Sequence, residues 1–495
     1  MTILYAKAAL AFSVSLVVTS LLLPRMALIA TRIGLIDHPN KRKVHKHPKP
    51  LVGGVVMASG VVMSSLFVLN ITHLRGFFIG FTILLLVGFL DDFKELNHRV
   101  KFLAQFLAMG FVVFMEGARL ENLGELLPGI VVPVGKMVVP LTMISGVGVI
   151  NAINMSDGLD GLAGGLSLIA FAAFSGLAYL NGQTQLMLLS LAFCGALVVF
   201  LKYNWHPASL FMGDAGSLLL GFSLVFIAIM LSQSGRGLVP PVSILLIMTV
   251  PITDTLTVMT KRLLRKRSPF HADKTHFHHL LLRCGFTKRL SVLTITAISL
   301  LLSVIGVTGA ILHVREYDLM LLFLGYFAIY LFFVFYATKI LRAKLRITKG
   351  RPHDSGWLAS GIAGFMEFIE RIAKIKWEGF QFKTATPTPC VLNRSGEQFT
   401  GALKNLSAKG FSVTSSEPFM LGEELGAGIF LREENRCGKT RELDLSVTAE
   451  IVRTKQGSEE FEYSFRFSNM DKNASQKITR FLGRANIQPA ESRDM

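Results

Sequence analysis

Apolar runs of roughly 20 residues, the length of helix that crosses about 30 Å of hydrocarbon, recur along the first two thirds of the chain. They lie near residues 4–29, 53–70, 76–90, 102–115, 135–153, 160–180, 185–201, 214–232, 238–259, 290–312 and 318–339. The pattern predicts an α-helical polytopic membrane protein with eleven transmembrane helices. The first run is longer than the apolar core of a signal peptide and leads into a charged loop without a small-residue cleavage site, so it is expected to stay as a helix. After Phe335 a basic run (Lys339, Arg342, Lys344, Arg346, Lys349, Arg351) precedes an amphipathic stretch near 357–377. That stretch suits either a helix lying in the membrane interface or a connecting helix packed on the tail. From residue 388 the pattern shortens to β-runs divided by turn residues: Gly401–Leu406, Gly410–Thr414, Ala427–Leu431, Leu443–Thr454 and Glu460–Phe467, followed by a helix at 471–483. These predict a small all-β barrel.

The expected organisation is therefore a transmembrane domain at 1–345, a basic and amphipathic linker at 346–387, a β-barrel domain at 388–485 and a tail at 486–495. Composition agrees with a membrane setting: 51% of residues are hydrophobic and 17% are charged, against about 25% charged in soluble domains. The net charge of +18 must then sit in loops and tail. There it suits anionic lipid headgroups and phosphorylated substrates, and no nucleic-acid partner is expected. Four cysteines without CxxC spacing fit a reducing cytoplasmic face.

Lys and Arg mark the cytoplasmic loops. The connection after the first run carries Arg32, Lys41, Arg42, Lys43, Lys46 and Lys49, and the one after the ninth carries nine basic residues between Lys261 and Arg289. Connections of the other parity hold only Arg75, Arg119, Lys136, Arg236 and Arg315. With an odd number of spans, the N-terminus is expected in the periplasm and the C-terminal domain in the cytoplasm of a bacterial inner-membrane protein.

Four polar clusters fall in loops on that same cytoplasmic side: Asp91-Asp92; Asn154, Asp157 and Asp160; Phe211-Met-Gly213-Asp214-Ala-Gly216-Ser217; and His276-Phe-His278-His279. Ionisable groups at the ends of spans are costly and mark functional sites. Taken alone, Asp91-Asp92 could be a helix stop, Asp214 part of a helix start, and the histidines zinc ligands. Together, carboxylates beside basic residues are what a hard divalent cation and a phosphate substrate need. A transporter would instead place its charges near the middle of spans, at broken helices.

These clusters resemble the polyprenyl-phosphate N-acetylhexosamine-1-phosphate transferase family, in its UDP-GlcNAc:undecaprenyl-phosphate branch (glycosyltransferase family 4). The likeness runs through Gly34–Gly54, Asp91-Asp92 with Lys101 and Gln105, Asn151–Gly161, Phe211–Ser217, Pro251–Asp254 and Ser268–His279, in the family's order over residues 1–345. It implies transfer of a sugar 1-phosphate, GlcNAc-1-phosphate foremost, from a UDP-N-acetylhexosamine to undecaprenyl phosphate, releasing UMP with Mg2+ or Mn2+ as cofactor and starting a glycan such as O-antigen, capsule or exopolysaccharide. By resemblance Asp214 is the metal ligand, with Asp92 on the metal or its waters. Asp91 deprotonates or positions the lipid phosphate. Asn154, Asp157 and Asp160 hold nucleotide and diphosphate, Phe211 stacks on uracil, and His276, His278 and His279 contact the sugar phosphate. Lys43, Lys49 and Lys101 are further phosphate contacts. A homodimer is left open. The alternatives are the phospho-MurNAc-pentapeptide translocase and, from another class, a transporter or membrane receptor.

In the tail, Asn405-Leu-Ser407-Ala-Lys-Gly410 resembles the (Asp/Asn)-x-Ser-x-x-Gly half of a PilZ domain, a family that binds cyclic di-GMP. The other half, Arg-x-x-x-Arg, has no match shortly upstream: Arg342 and Arg346 have the spacing but lie about 60 residues too early. Weak cyclic di-GMP binding, or none, is therefore expected.

Overall fold

A computed structural model of the chain describes residues 2–37, 48–233, 239–264, 276–284, 286–347, 381–394, 397–407, 410–434, 440–456 and 461–469. Two compact units emerge, Met1–Leu282 with Phe286–Phe335, and Arg283–Gly285 with Tyr336–Met495. The first is a bundle of α1 (Thr2–Ile33), α2 (Gly53–Val68), α3 (Arg75–Lys94), α4 (His98–Met115), α5 (Val138–Ser156), α6 (Leu162–Leu180), α7 (Thr184–Asn204), α8 (Gly213–Gln233), α9 (Pro241–Ile247), α10 (Thr249–Leu264), α11 (Phe277–Arg283), α12 (Lys288–Ile311) and the start of α13 (Glu316–Ile347). Among the described residues nine of these are long and apolar enough to cross a membrane.

Two of the eleven expected spans take another form. The run at 53–70 becomes α2, with 16 residues. The run at 238–259 breaks at Met248 into α9 and α10, which meet at 80°. Pro251 explains the break: it offers no N–H to the carbonyl of Ile247, yet it is tolerated in the first turn of α10, where that N–H has no partner to lose. The amphipathic stretch at 357–377 and the helix at 471–483 lie outside the described residues.

Helix α8 is the centre of the bundle and is buried along nearly its whole length. Glycines permit the close crossings around its first turn, as small residues do wherever membrane helices approach closely. A Cβ on Gly54 of α2 would stand 2.5 Å from Gly216 Cα, and one on Gly88 of α3 would stand 2.9 Å from the Asp214 carbonyl carbon. The amino end of α8 is thereby wedged between α2 and the carboxyl end of α3. At the other end of α8, Gln233 Oε1 accepts from the N–H groups of Glu121 and Asn122 at 3.0 and 3.1 Å. This anchors a hairpin of two strands, Asn122–Leu127 and Ile130–Pro133, which apolar patterning did not reveal.

The second unit contains a closed six-stranded antiparallel barrel. Its strands are Gln381–Arg394, Glu397–Ser407, Gly410–Ser415, Glu424–Glu434, Thr440–Gln456 and Phe461–Asn469, in the order sixth, third, second, first, fourth, fifth. Alternate residues fill the core: Phe411 and Val413; Leu425, Ala427 and Ile429; Leu445, Val447, Ala449 and Ile451; Tyr463 and Phe465. The Tyr463 hydroxyl accepts from Phe419 N and donates to Glu417 O, both at 2.9 Å, which satisfies the polar tip of that buried ring. The first strand begins at Gln381, inside the stretch expected to be linker. Pro387 and Pro389 hide it from pattern reading, and Pro387 falls within a register shift between Lys383 and Thr388.

Candidate active site

The structure gathers the polar clusters at one end of the bundle. Asp214, in the first turn of α8, accepts from Lys101 Nζ (α4) at 2.8 Å on Oδ2 and from Asn154 Nδ2 (α5) at 3.2 Å on Oδ1. Lys101 also donates to Asp91 Oδ2 (α3) at 3.0 Å, and Asn154 to Ser217 Oγ at 2.9 Å. Asp91 Oδ1 accepts from Leu96 N at 2.7 Å. One ammonium thus bridges two carboxylates, one 10 residues and the other 113 residues away in sequence, and four helices share a single polar node.

Asp92 has a different environment. Its two oxygens accept from Asp214 N at 2.7 Å and Ala215 N at 3.3 Å, so a carboxylate of α3 caps the amino end of α8. Gly213 makes this possible. It holds a left-handed φ of +70°, and a Cβ there would meet the Asp92 carboxyl carbon at 2.7 Å. The strand-like segment Lys49–Leu51 fixes the approach to that turn: Phe211 N donates to Pro50 O at 3.0 Å, Gly53 N to Phe211 O at 3.0 Å and Gly54 N to Met212 O at 2.9 Å. Lys49 pairs with Asp37 across a two-residue ladder, which brings Ile36–Asp37 alongside the segment that leads to the site. Lys43 lies outside the described residues.

Asp157, just beyond α5, accepts no hydrogen bond among the described residues. Burial, then the charges of Asp214, Asp160 and Asp37, push its carboxyl up to about 7. Asp160 is committed to protein: Oδ2 takes His206 Nδ1 at 2.7 Å and Ala208 N at 3.1 Å. Arg289 donates to the His206 carbonyl at 3.2 and 3.3 Å, and Asn204 Oδ1 accepts from Gly161 N at 2.9 Å. The Asp157–Gly161 loop is therefore fastened to the loop that ends in Phe211.

The histidines close the other side. His278 is buried against Gly158, where a Cβ would stand 2.6 Å from its Cε1. Its Nε2 has no hydrogen-bond partner among the described residues. Burial foremost, and the neighbouring His279 ring at 4.3 Å, hold its pKa down at about 3, so it is neutral at physiological pH. His276 stacks on His278 at 5.7 Å and gives Nδ1 to Asp254.

Oxygen donors dominate this end, and among the described residues no group of three His, Cys, Asp or Glu side chains forms a preassembled metal cage. That set fits Mg2+, which takes one or two carboxylates and completes its shell with water and substrate phosphate. The uncompensated acid charge on Asp157 fits a cation there as well. Ser217, His206, Asp254 and Tyr330 were not predicted as site residues. Only Ser217 and Asp254 had a signal, as members of the quoted motifs.

Residues 74–232 match the family described as Glycosyl transferase family 4, and residues 380–484 match the PilZ domain. The undecaprenyl-phosphate alpha-N-acetylglucosaminyl 1-phosphate transferase of Yersinia pestis is 34% identical over 66% of this chain and 93% of its own length. The protein of the same name from Escherichia coli (strain K12) is 34% identical over 66% and 91%. The probable undecaprenyl-phosphate N-acetylglucosaminyl 1-phosphate transferase of Bacillus subtilis (strain 168) is 36% identical over 59% and 82%. Among solved structures, the Bacillus subtilis inhibitor of motility overlaps 21% of this chain at 21% identity with a TM-score of 0.18, too slight a likeness to build on. With relatives of that identity covered almost end to end, the chain belongs to glycosyl transferase family 4, as a membrane transferase that also carries a PilZ domain.

Proposed function

We propose that the protein transfers GlcNAc-1-phosphate from UDP-GlcNAc to undecaprenyl phosphate, releasing UMP, as the first step of a lipid-linked glycan such as O-antigen, capsule or exopolysaccharide. The observation that carries this is the node in which Lys101 bridges Asp91 and Asp214, with the Asp157 carboxyl close enough to feel the charge of Asp214. Two anionic phosphates must meet there, and fixed charges of both signs within about 3 Å are the means of holding them. The names of the relatives favour GlcNAc over a MurNAc-pentapeptide.

Asp91, held by Lys101 and Leu96 N, receives the lipid phosphate and takes its proton. Lys101 offsets the charge brought by that phosphate. The Asp157–Asp160 loop, with Phe211 against the base, orients the nucleotide, and His276, His278 and His279 line the sugar-phosphate side. Asp214 and Asp157 would hold Mg2+ or Mn2+, with Asp92 supporting Asp214 through its backbone N–H; the bound ion supplies charge withdrawal from the diphosphate. The site faces the cytoplasm, with residue 1 in the periplasm. A reporter active only in the periplasm, fused after residue 350, should be silent, and a strong signal would reverse this orientation. UMP release by the purified chain, measured with undecaprenyl phosphate and a panel of UDP-sugars, tests the reaction. UMP from UDP-GlcNAc supports the reading, whereas UMP only from UDP-MurNAc-pentapeptide, or none, refutes it.

A further inference from the structure

Asp254 is a carboxylate in the bent α9–α10 pair, and it contacts none of the groups at the Lys101 node. It is 6% exposed, and all of its bonds are internal. Oδ2 takes His276 Nδ1 at 2.9 Å, while Oδ1 takes Phe277 N at 2.9 Å and the Tyr330 hydroxyl at 2.7 Å. Tyr330 comes from α13, and Phe277 packs edge-on against the Tyr330 ring with centroids 5.1 Å apart. A carboxylate buried in an apolar span is costly, and an apolar residue would pack more simply there. Its three donors come from the start of the histidine loop and from one tyrosine that backs it. Asp160 repeats the pattern on the loop preceding Phe211, with an imidazole Nδ1 and a nearby backbone N–H on the same carboxylate.

We propose that Asp254 is a positioning residue for His276, with Tyr330 completing the carboxylate's bonds from α13. Because Nδ1 is spent on Asp254, the ring is fixed in orientation and tautomer, and Nε2 is the atom left for substrate. What that substrate is rests on the transferase reading above; the ring's placement does not. Phe277 N, bound to the same carboxylate, starts α11 and carries His278 against Gly158. The bond from Phe277 N goes to Oδ1, an acceptor that Asp254→Asn retains, whereas His276 Nδ1 goes to Oδ2, so that variant perturbs the His276 ring and leaves the start of α11 held.

A residue that acts through another is non-additive with it. UMP release by the full chain should fall about 10–100-fold in Asp254→Asn, the range for second-layer partners, and further in His276→Ala. The double variant should be no slower than His276→Ala, within about twofold. Multiplying losses would overturn the proposal. Should Asp254→Asn fail to enter the membrane, Tyr330→Phe forms the same cycle with His276→Ala and the same outcomes apply. A wild-type chain that releases no UMP refutes the transferase reading alone, because 15N-histidine solid-state NMR of the full chain in lipid needs no substrate. The resonance that disappears in His276→Ala should be protonated at Nδ1 in the parent and lose that preference in Tyr330→Phe or Asp254→Asn. A parent His276 protonated only at Nε2 would overturn the proposal.

Discussion

Asp214→Asn separates the site's chemistry from its architecture. The substitution keeps the side chain's shape and leaves the Asp214 N–H on Asp92 untouched. A carboxamide has one oxygen, so it can accept from Lys101, now at 2.8 Å, or from Asn154, now at 3.2 Å, but not from both. Its NH2 then faces the donor left over. Losing one charge-assisted bond costs about 1.5–3 kcal/mol, which a bundle with α8 at its centre should survive. Activity should respond far more, since removing one fixed group that stabilises developing charge costs about 100–1000-fold in turnover. The assay is the rate of UMP release across a Mg2+ titration, with gel filtration and thermal unfolding in the same detergent as controls. The expected result is a folded, monodisperse protein slowed at least about 100-fold. A variant as fast as the parent at ordinary Mg2+ would refute the assignment of Asp214, and an unfolded one would refute the separation.

Three further outcomes follow. Gly54→Ala should abolish both assembly and activity, because the new Cβ meets Gly216 backbone at 2.5 Å and backbone cannot yield there; a folded, active variant in a membrane expression test contradicts the α2–α8 crossing. Asp157 titrates near 7 in the fold against an ordinary 3.8, so folding disfavours its charged form: the penalty is absent below about pH 4, grows as pH rises through 7 and is full above it, at about 4 kcal/mol. Asp157→Asn should therefore unfold at higher denaturant than the parent near pH 8 and equally near pH 4, and Mg2+ should stabilise the parent more near pH 8 than near pH 5. In titration calorimetry, residues 378–495 should bind cyclic di-GMP weakly or not at all, since the paired arginines that grip phosphate are missing at the expected distance; tight binding abolished by Ser407→Ala would make the barrel a nucleotide sensor.

Much of the fold was legible because a bilayer demands long apolar runs, and the barrel because short β-runs are divided by turn residues. Three features were not. The hairpin at Asn122–Pro133 is rich in Leu, Ile and Val, so its second strand merges with the apolar text that follows it. The first barrel strand carries two prolines. The break at Met248 was signalled by Pro251, but a proline in an apolar run also fits a mere kink. At the site, residue types and their shared face could be read, yet pairings could not. Nothing local links Lys101 to Asp214, Asp160 to His206 or Asp254 to Tyr330, which are brought together only by the packing of separate elements. Asp92 illustrates the limit: its place beside Asp91 could be read, but the bonds from its oxygens to the N–H groups of α8 could not.

The central claim is transfer of a sugar together with its phosphate, and the fate of one phosphorus atom tests it. UDP-GlcNAc labelled with 32P at the β-phosphate should be incubated with the purified chain and undecaprenyl phosphate. The label should appear in an organic-extractable lipid that yields labelled GlcNAc-1-phosphate when its diphosphate bond is cleaved by a pyrophosphatase, in proportion to unlabelled UMP. Label remaining with UDP, or released as free phosphate while the lipid stays unlabelled, would contradict the account.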